Sequence, residues 1–573
     1  MVRTMSAKIF TWVLMVVMLP IQYARADESQ TKTTSLRDIQ KQATLLKRRG
    51  KSLSQAEVLT KIAPLKNALA FANLTGAPLN RLYTNASDSL AMLCAGLDLP
   101  VTDRFEKPTE IEKKSNSYRV RIACLTPADR TPNAAAAHRA AELLLWYQRW
   151  FADQMAQNGH GKMTFSYESE TGSSWPRVHN IRLPRPSVYY RTNEPGQGDK
   201  VYSRVVTAAK DVGIPVEESG QVWILFIDMQ EILPDGKVVG LHRQGGGKTF
   251  HTGATVCDTG TLGELSLTAL TTDNLYHGMV VPSLGRYPLK RGVSFPPSRG
   301  NTVGTVVSSN LGSWLHELGH CFLLTHDFRN DDNAAGNLMG NGLRGFRAWL
   351  YPEKFQNEYT HLSANTSNLL RLNRFFRPQE EFKDTKAPSI EQAKFSTQSV
   401  EGLLVCSVSI RDDDELAYVM LMNNDCVVAS QDVSGKNAQV ELRFWRYEIG
   451  DNRWQLRVFD RSGNVRILPG TAFVPATSKR AAHPYVTCPK MRLKAGEPLS
   501  VSAEKTKDPD GDSSALRYAW DFEGDGKLDT EFSPRPHVSV TYPVAGVNSL
   551  QCHVMDGDGT TAVSSTIRIQ VEQ

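Results

Sequence analysis

The stretch Ser313–Asp327, SWLHELGHCFLLTHD, decides how the central part of the chain folds. Three apolar residues within it stand four positions apart: Trp314, Leu318 and Phe322. This spacing predicts a helix with one apolar face against a core. His316 and His320 are also four positions apart, so their imidazole rings share one face of that helix. The stretch therefore predicts a core helix that carries two neighbouring imidazoles.

The polar residues of this stretch are the types that hold a catalytic zinc ion. Such a site needs three protein ligands and one open position, and imidazole nitrogen is a common ligand. His326, six residues after His320, is the candidate third ligand, with the adjacent Asp327 as an alternative. Glu317 lies about 100° around the helix from His316, where it can reach a metal-activated water without binding the metal.

The motif HELGHCFLLTHD, followed by NLMG at Asn337–Gly340, resembles the metzincin clan of zinc peptidases, whose pattern is HExxHxxGxxH with a later Met-turn. The resemblance implies a role for each of five residues: His316, His320 and His326 as zinc ligands, Glu317 as the general base, and Met339 as the apolar floor beneath the metal. It also implies a Zn²⁺ cofactor and a protein or peptide substrate held extended along an edge strand.

Two positions depart from the metzincin pattern. The family's glycine, which lets the chain turn sharply towards the third ligand, is Leu323 here, so we expect that turn at Leu324–Thr325 instead. The tyrosine that some metzincins place two residues after the methionine is Asn341. These departures make His326 the ligand that most needs structural support.

A gluzincin arrangement, with a glutamate on a later helix as third ligand, is the alternative. Glu353 and Glu358 are its candidates. The segment Gly336–Gly345 is too rich in glycine to be the helix that this arrangement usually employs, which favours the metzincin pattern.

The substrate-binding strand has two candidates, Lys237–His242 and His277–Pro282. Gly245–Gly247 lacks the Lys-Ser/Thr that would follow in a phosphate-binding loop, so we expect a flexible surface loop there.

The composition is that of a globular, multidomain protein. The 573 residues exceed what one core usually supports. A net charge of +6, from 66 Lys+Arg and 60 Asp+Glu, gives no electrostatic case for nucleic acid as a partner. We expect residues 116–376 to form an α/β (α+β) metzincin-like domain, and residues 387–473 and 484–573 to form two all-β, Ig-like sandwiches.

The N-terminus has the order of a secretory signal peptide. Arg3 and Lys8 precede the apolar stretch Ile9–Leu19, and Ala24-Arg25-Ala26 gives a cleavage site after residue 26. We expect residues 1–26 to be removed and the protein to be secreted, periplasmic or extracellular, with no transmembrane anchor. Residues 27–115 are then an N-terminal region or a propeptide.

The last ninety residues resemble the PKD domain, an Ig-like sandwich, through YAWDFEGDG at Tyr518–Gly526 and DGDG at Asp556–Gly559. Asp521, Asp525 and Asp529 are candidate ligands for Ca²⁺, since hard cations prefer clustered carboxylates. In exported peptidases such modules engage large or surface-bound substrates or act as spacers, so a surface polymer is a second candidate partner.

Eight cysteines, an even number, would meet an oxidising compartment after export. Proximity in the sequence suggests three pairs: Cys94–Cys124, Cys406–Cys426 and Cys488–Cys552. For Cys321 we expect either a packing role or a disulfide with Cys257. Cys94 also resembles, faintly, the cysteine switch of matrix metalloproteinases, in which a propeptide thiolate occupies the zinc.

Two functions follow from these patterns. The first is a secreted zinc endopeptidase with Glu317 as general base. The second is a non-catalytic, secreted adhesion or binding protein with a structural or decayed metal site, which the departure at Leu323 favours.

Overall fold

The computed structural model describes residues 36–49, 55–74, 90, 118–191, 198–233, 238–240, 243–249, 252–258, 303–328, 336–340, 342–350, 355, 358, 360–396, 401–424 and 426–573. It confirms a mixed α/β, multidomain architecture. We call residues 118–376 the first unit. The signal peptide, most of residues 27–115, the strand candidate His277–Pro282, and the positions Cys94, Asn341 and Glu353 lie outside the described residues.

The first unit has seven described strands: β1 (Arg119–Thr126), β2 (Val178–Arg182), β3 (Gln221–Ile227), β4 (Glu231–Ile232), β5 (Val238–Val239), β6 (Arg243–Thr249) and β7 (Thr252–Asp258). Five of them form the sheet that organises the unit, in the order β2-β1-β3-β7-β6. Four of these five run parallel, and β6 is antiparallel to β7 at the edge. Every residue of β3 is buried, as its continuous apolar run predicts for a strand covered on both faces.

Eight α-helices accompany these strands in the described part of the chain: α1 (Leu36–Arg49), α2 (Gln55–Leu74), α3 (Ala134–Gln157), α4 (Ser187–Tyr190), α5 (Gly198–Asp211), α6 (Val303–Cys321), α7 (Phe346–Leu350) and α8 (Ala364–Leu370). Helices α3 and α6 share one core with β1 and β3, built around buried aromatic rings such as Trp150 and Trp314. Helix α5 packs on the other face of the sheet. The motif helix α6 is therefore enclosed by the sheet and α3, as its apolar face predicts.

Helices α1 and α2 pack against the first unit. Ile39, Leu65 and Leu69 are buried in the core that contains α3. Lys66 also forms an ion pair with Glu170 at 3.3 Å.

The glycine run Gly245–Gly247 corrects our expectation of a flexible loop, because it forms the middle of the edge strand β6. The candidate Lys237–His242 is also wrong as the edge of this sheet, since its described part, β5, pairs with β4 in a separate ladder. Glycine is required in β6 because a Cβ on Gly245 would lie 2.1 Å from the carbonyl oxygen of Glu317. The strand thus lies directly against the backbone of α6.

Two β-sandwiches follow. In the first, a four-stranded sheet faces a three-stranded one. Its strands are β8 (Ser389–Phe395), β9 (Leu404–Arg411), β10 (Leu416–Asn423), β11 (Cys426–Asp432), β12 (Asn437–Phe444), β13 (Gly450–Asp460) and β14 (Val465–Val474). The second contains β15 (Arg492–Lys494), β16 (Pro498–Ser502), β17 (Arg517–Asp521), β18 (His537–Thr541), β19 (Gly546–Met555), β20 (Thr561–Val563) and β21 (Ile567–Glu572).

The first sandwich is fused to the first unit through a shared core. Tyr418, Met420 and Met422 on β10 point away from the interior of the sandwich and belong to the core of the first unit. Arg374 donates hydrogen bonds to the carbonyl oxygen of Ser462, at 2.9 Å, and to Asn464 Oδ1, also at 2.9 Å. Apolar burial and these polar contacts together fix the sandwich beside the motif helix.

None of the predicted disulfides is present among the described residues, so this expectation is corrected. Each of the seven described cysteines is a buried thiol, and Cys94 lies outside the described part. Burial raises the pKa of Cys124 to about 12 and that of Cys406 to about 11, so these side chains behave as small apolar groups. Within its described residues, the chain has no helix with the length and hydropathy needed to cross a bilayer.

Candidate metal centre

The motif helix α6 ends in a turn made by Leu323. This residue has φ of 67°, in the left-handed region that usually belongs to glycine. Leu324 N–H donates to the carbonyl oxygen of Gly319 at 3.1 Å and closes the helix end. The turn therefore occurs where the metzincin pattern has its glycine, and our expectation of a turn at Leu324–Thr325 is wrong. Leu323 thus adopts the left-handed backbone conformation despite its side chain, and the helix ends there.

This turn brings the three predicted histidines together. One ring nitrogen from each of His316, His320 and His326 lies within 4.8 Å of the other two. The ring centroids of His326 are 5.2 Å from His316 and 4.7 Å from His320. Since His326 completes the group, neither Asp327 nor a later glutamate is needed as its third member. Glu358, the described gluzincin candidate, is instead bound by Arg347, whose Nε donates to Oε2 at 2.8 Å.

Backbone carbonyls fix the protonation of two of these rings. Nδ1 of His316 is 2.8 Å from the carbonyl oxygen of Leu338, and Nδ1 of His320 is 2.8 Å from that of Leu324. A carbonyl oxygen only accepts hydrogen bonds, so each Nδ1 carries the proton. Burial lowers the pKa of His316 to about 3 and that of His320 to about 4, so both rings are neutral.

The two Nε2 atoms are left with lone pairs that face each other at 3.1 Å. Two acceptors cannot hydrogen-bond to each other, and the contact becomes favourable only when a cation lies between them. Nitrogen ligands about 2.0–2.1 Å from a tetrahedral zinc ion lie about 3.3 Å apart, close to the observed spacing. The donor set therefore fits zinc.

Glu317 lies between the helix and the edge strand. The backbone N–H of Gly245 donates a hydrogen bond to Glu317 Oε2. Burial raises the pKa of Glu317 to about 7, although the Gly245 hydrogen bond and the positive charge of Arg243 oppose that rise. A carboxyl group with a pKa near neutrality can both accept and release a proton in this pH range.

Met339 packs beneath the helix, as the Met-turn resemblance implies. A Cβ on Gly319 would lie 2.8 Å from Met339 Sδ, so the thioether occupies the space below the segment between His316 and His320. Met339 is fully buried, and its carbonyl oxygen accepts a hydrogen bond from Asp327 N–H at 3.0 Å. This bond joins the turn that contains Met339 to the segment that carries the third histidine.

A cleft of about 530 Å³ opens beside these residues, and one wall comes from the first sandwich. Arg457 of β13 lines it together with Glu317, His320 and His326. Arg457 is 5% exposed, and its Nη1 donates to the carbonyl oxygen of Leu323 at 3.0 Å. Burial lowers its pKa to about 10, and no carboxylate pairs with it in the described part of the chain. The cleft thus contains a buried cation that has no counter-ion within the described part of the chain.

The predicted calcium ligands are only partly brought together. Asp521 and Asp529 group with Glu523, whereas the carboxylate of Asp525 pairs with Lys527 at 3.0 Å. Asp525 is therefore not part of the group. The Asp521 carboxylate already accepts hydrogen bonds from backbone N–H groups of its own turn, including that of Gly526 at 2.8 Å.

Several contributors to the cleft carry no signal in the motif itself. Gly245 and Arg457 are distant in sequence from the histidines, and only the folded chain brings them to Glu317 and Leu323. The three consecutive glycines were the one available indication, because glycine in a strand often marks a close approach of another backbone.

Comparison with known proteins assigns the C-terminal module. Residues 481–571 match the PKD domain family, which confirms that resemblance. The search of curated proteins finds no match.

Among solved structures, the chain is similar to wild-type OgpA from Akkermansia muciniphila, with 16% identity, 64% of this chain and 97% of that chain covered, and a TM-score of 0.42. Catalytically inactive OgpA in complex with an O-glycopeptide (glycodrosocin) substrate matches with the same values. The tandem Ig repeats of Dlar match at 14% identity over 32% of this chain and 97% of that chain, with a TM-score of 0.16. What this chain does must therefore be argued from its own residues.

Proposed function

We propose that this protein is a secreted, zinc-dependent endopeptidase of the metzincin type that acts on protein or peptide substrates. The observation that carries the proposal is the pair of facing Nε2 lone pairs on His316 and His320, 3.1 Å apart. His326 supplies the third nitrogen. Three imidazole ligands with a glutamate beside them match the donor set of catalytic rather than structural zinc sites.

The residues have separate tasks in peptide hydrolysis. A zinc ion held by His316, His320 and His326 would supply Lewis-acid chemistry for the hydrolysis. Glu317 would act as the general base towards the attacking water and would pass the proton to the leaving amine. The Gly245 N–H holds the Glu317 carboxylate in place, and the low-dielectric surroundings keep its pKa near 7. Leu338 and Leu324 hold the histidine rings through their carbonyl oxygens.

The edge strand β6 is the proposed binding site for the substrate backbone. Among the described strands, β6 pairs with β7 alone, so its outer edge has backbone groups available to an extended peptide. Gly245–Gly247 lie in the wall of the cleft, and glycine allows a peptide backbone to approach closely.

The departure at Leu323, which favoured the adhesion function, no longer argues against a complete metal site. Leu323 adopts the backbone conformation of the family glycine, and His326 joins the other two histidines. Binding of a surface polymer by the sandwiches remains a prediction, compatible with peptidase activity in the same chain.

Zinc content and peptide hydrolysis test the proposal together. The purified protein should contain one zinc ion at the three histidines, cleave casein or an internally quenched peptide library, and lose activity on chelation. Glu317→Gln should keep the zinc and lose about 10²–10⁴-fold in turnover, the range for removal of a general acid-base group.

Leu318, on the opposite side of the helix from the cleft, offers a matched control. Leu318→Met changes the same helix without touching the cleft and should keep most of the activity. Zinc bound without turnover of any library peptide by the wild-type protein would reject the proposal and restore the adhesion function.

A further inference from the structure

A second group of ligand-type residues lies where the first unit joins the first sandwich. Asp384 belongs to the connecting segment, while Asp412 and Asp413 form the turn between β9 and β10. One carboxylate oxygen from each lies within 4.8 Å of the other two. Asp460, at the end of β13, adds a fourth carboxylate and is fully buried. We call these four residues the acidic joint.

Two oxygens of the acidic joint are buried and have no hydrogen-bond partner among the residues that the structure describes. They are Asp412 Oδ2 and Asp384 Oδ2. Asp412 is only 4% exposed, and its other oxygen, Oδ1, accepts from Asp414 N–H at 2.9 Å. A buried carboxylate oxygen without a donor is costly, because desolvation of the charge is not compensated. These orphaned oxygens point to a missing ligand.

The charges around the joint do not balance either. Burial raises the pKa of Asp412, and the negative charges of Asp384, Asp413 and Asp414 raise it further. Burial likewise raises the pKa of Asp460 to about 6, with further contributions from Asp412 and Asp384. Repulsion between the carboxylates therefore raises the pKa both of Asp412, in the turn after β9, and of Asp460, at the end of β13.

Three nearby cations of the described chain bind at the exposed rim of the joint or to backbone carbonyl groups. Lys386 pairs with Asp413 at 2.6 Å, but both side chains are more than half exposed. Lys436 Nζ donates to the carbonyl oxygen of Asp413 at 2.7 Å. Arg374 Nη2 donates to the carbonyl oxygen of Asp384 and to Asn464 Oδ1, both at 2.9 Å. None of these contacts reaches the orphaned oxygens.

We infer that Asp384, Asp412 and Asp413 form a calcium site that ties the connecting segment to the first sandwich. Ca²⁺ binds oxygen ligands at about 2.3–2.6 Å, so two oxygens on one ion lie at most about 5 Å apart, as these do. The joint offers only oxygen, which disfavours zinc. Water and backbone carbonyls would complete the six to eight ligands that calcium takes.

The site would also steady one wall of the cleft. Asp460 and Arg457 lie on the same strand, β13, three residues apart. An ion that holds the β9–β10 turn and the connecting segment limits movement of the sandwich relative to α6. The inference does not depend on the proposed peptidase activity, since it can be tested by metal binding and local protection alone.

The test is calcium titration of the full chain followed by hydrogen exchange. Glu523→Gln, an exposed change, is built into every protein to weaken the separate group in the second sandwich. We expect slower exchange in the segments around Asp384 and Asp412, half-saturation at about 0.1–1 mM Ca²⁺ as in extracellular modules, and a weaker response to Mg²⁺.

Asp412→Asn and Asp414→Asn form the matched pair, since each removes one negative charge from the same turn. We expect Asp412→Asn to weaken calcium binding at least tenfold and Asp414→Asn to change it less than threefold. In calcium-free buffer, Asp412→Asn should melt at or above the temperature of the parent, because an unpaired buried charge is removed. Equal binding by the two variants, or no change in exchange at 10 mM Ca²⁺, would overturn the inference.

Discussion

The three-histidine cleft and the acidic joint gather their ligand atoms in opposite ways. The histidines occupy positions 316, 320 and 326, on one helix and the turn after it. The aspartates of the inferred site come from a connecting segment, at position 384, and from the turn between β9 and β10, at positions 412 and 413. A site built on one helix is visible in local spacing, whereas a site between domains exists only after the domains have packed.

The two regions also differ in what holds them together without metal. In the cleft, neutral rings are fixed by the carbonyl oxygens of Leu338 and Leu324. In the joint, buried negative charges repel one another, and two oxygens have no donor within the described part of the chain. Metal loss should therefore remove chemistry from the cleft but leave its geometry, and should remove stability from the joint.

Selective removal of zinc or of calcium should give the largest difference between the two regions, because zinc affects peptide hydrolysis and calcium affects stability. The nitrogen chelator 1,10-phenanthroline should abolish peptide hydrolysis, and zinc should restore it while calcium should not. Withdrawal of calcium at constant free zinc should leave turnover within about threefold. It should lower stability by about 1.4–2.7 kcal/mol if calcium had been present at 10–100 times its dissociation constant. A peptidase assay measures the turnover, and calorimetry on the same samples measures the stability. Restoration of activity by calcium alone would contradict the assignment of separate roles to the two regions.

Gly245→Ala should give the next largest effect, because it acts on the geometry of the cleft alone. The new Cβ would lie 2.1 Å from the Glu317 carbonyl oxygen, so β6 must move away and the hydrogen bond to Glu317 Oε2 is lost. Misplacement of a catalytic group by about 1 Å can cost about 10²-fold in rate.

Gly246→Ala is the matched control for that change. Among the described residues its Cβ would contact Tyr202 alone, at 3.6 Å from Oη, an ordinary contact distance. We expect turnover within about threefold of the parent protein and unchanged calcium binding in both variants. If both alanines reduced turnover alike, the close approach at Gly245 would not be the cause.

Arg457 connects the two regions and should determine preference among substrates. It lines the cleft and has no carboxylate partner among the described residues. A hydrogen bond to a charged group contributes about 1.5–3 kcal/mol. We therefore expect Arg457→Gln to raise KM at least about tenfold for peptides with an acidic residue near the scissile bond and to change KM little for neutral peptides.

Arg453→Gln, at an exposed position of the same strand, removes the same charge and should preserve the preference. The ratio of kcat/KM for acidic and neutral peptides is the readout, since a general loss of folded protein lowers both values equally. A parallel loss for both peptides would assign Arg457 a purely structural role through its bond to Leu323.

The sequence predicted the cleft better than its walls for a physical reason. Periodicity fixes which side chains share a helix face, so His316, Glu317 and His320 were placed correctly from spacing alone. The turn at Leu323 was misplaced because propensity disfavours leucine at positive φ, and tertiary packing overrode that preference. Gly245–Gly247 and Arg457 depend on the pairing of distant segments, which one sequence does not encode locally. The all-β tail was recognised because its turns are local signals.

The strained helix end gives the smallest expected effect. Leu323 holds φ of 67°, and a β-branched side chain tolerates that region even less. Leu323→Val keeps an apolar side chain yet should destabilise the protein by about 1–2 kcal/mol, whereas Leu323→Gly should lie within about 1 kcal/mol of the parent, because relief of strain offsets lost packing. Denaturant midpoints measure both. If valine were tolerated as well as glycine, backbone strain would not govern this turn. The position of His326 would then depend on the hydrogen bonds to the carbonyl oxygens of Leu323, Leu324 and Met339.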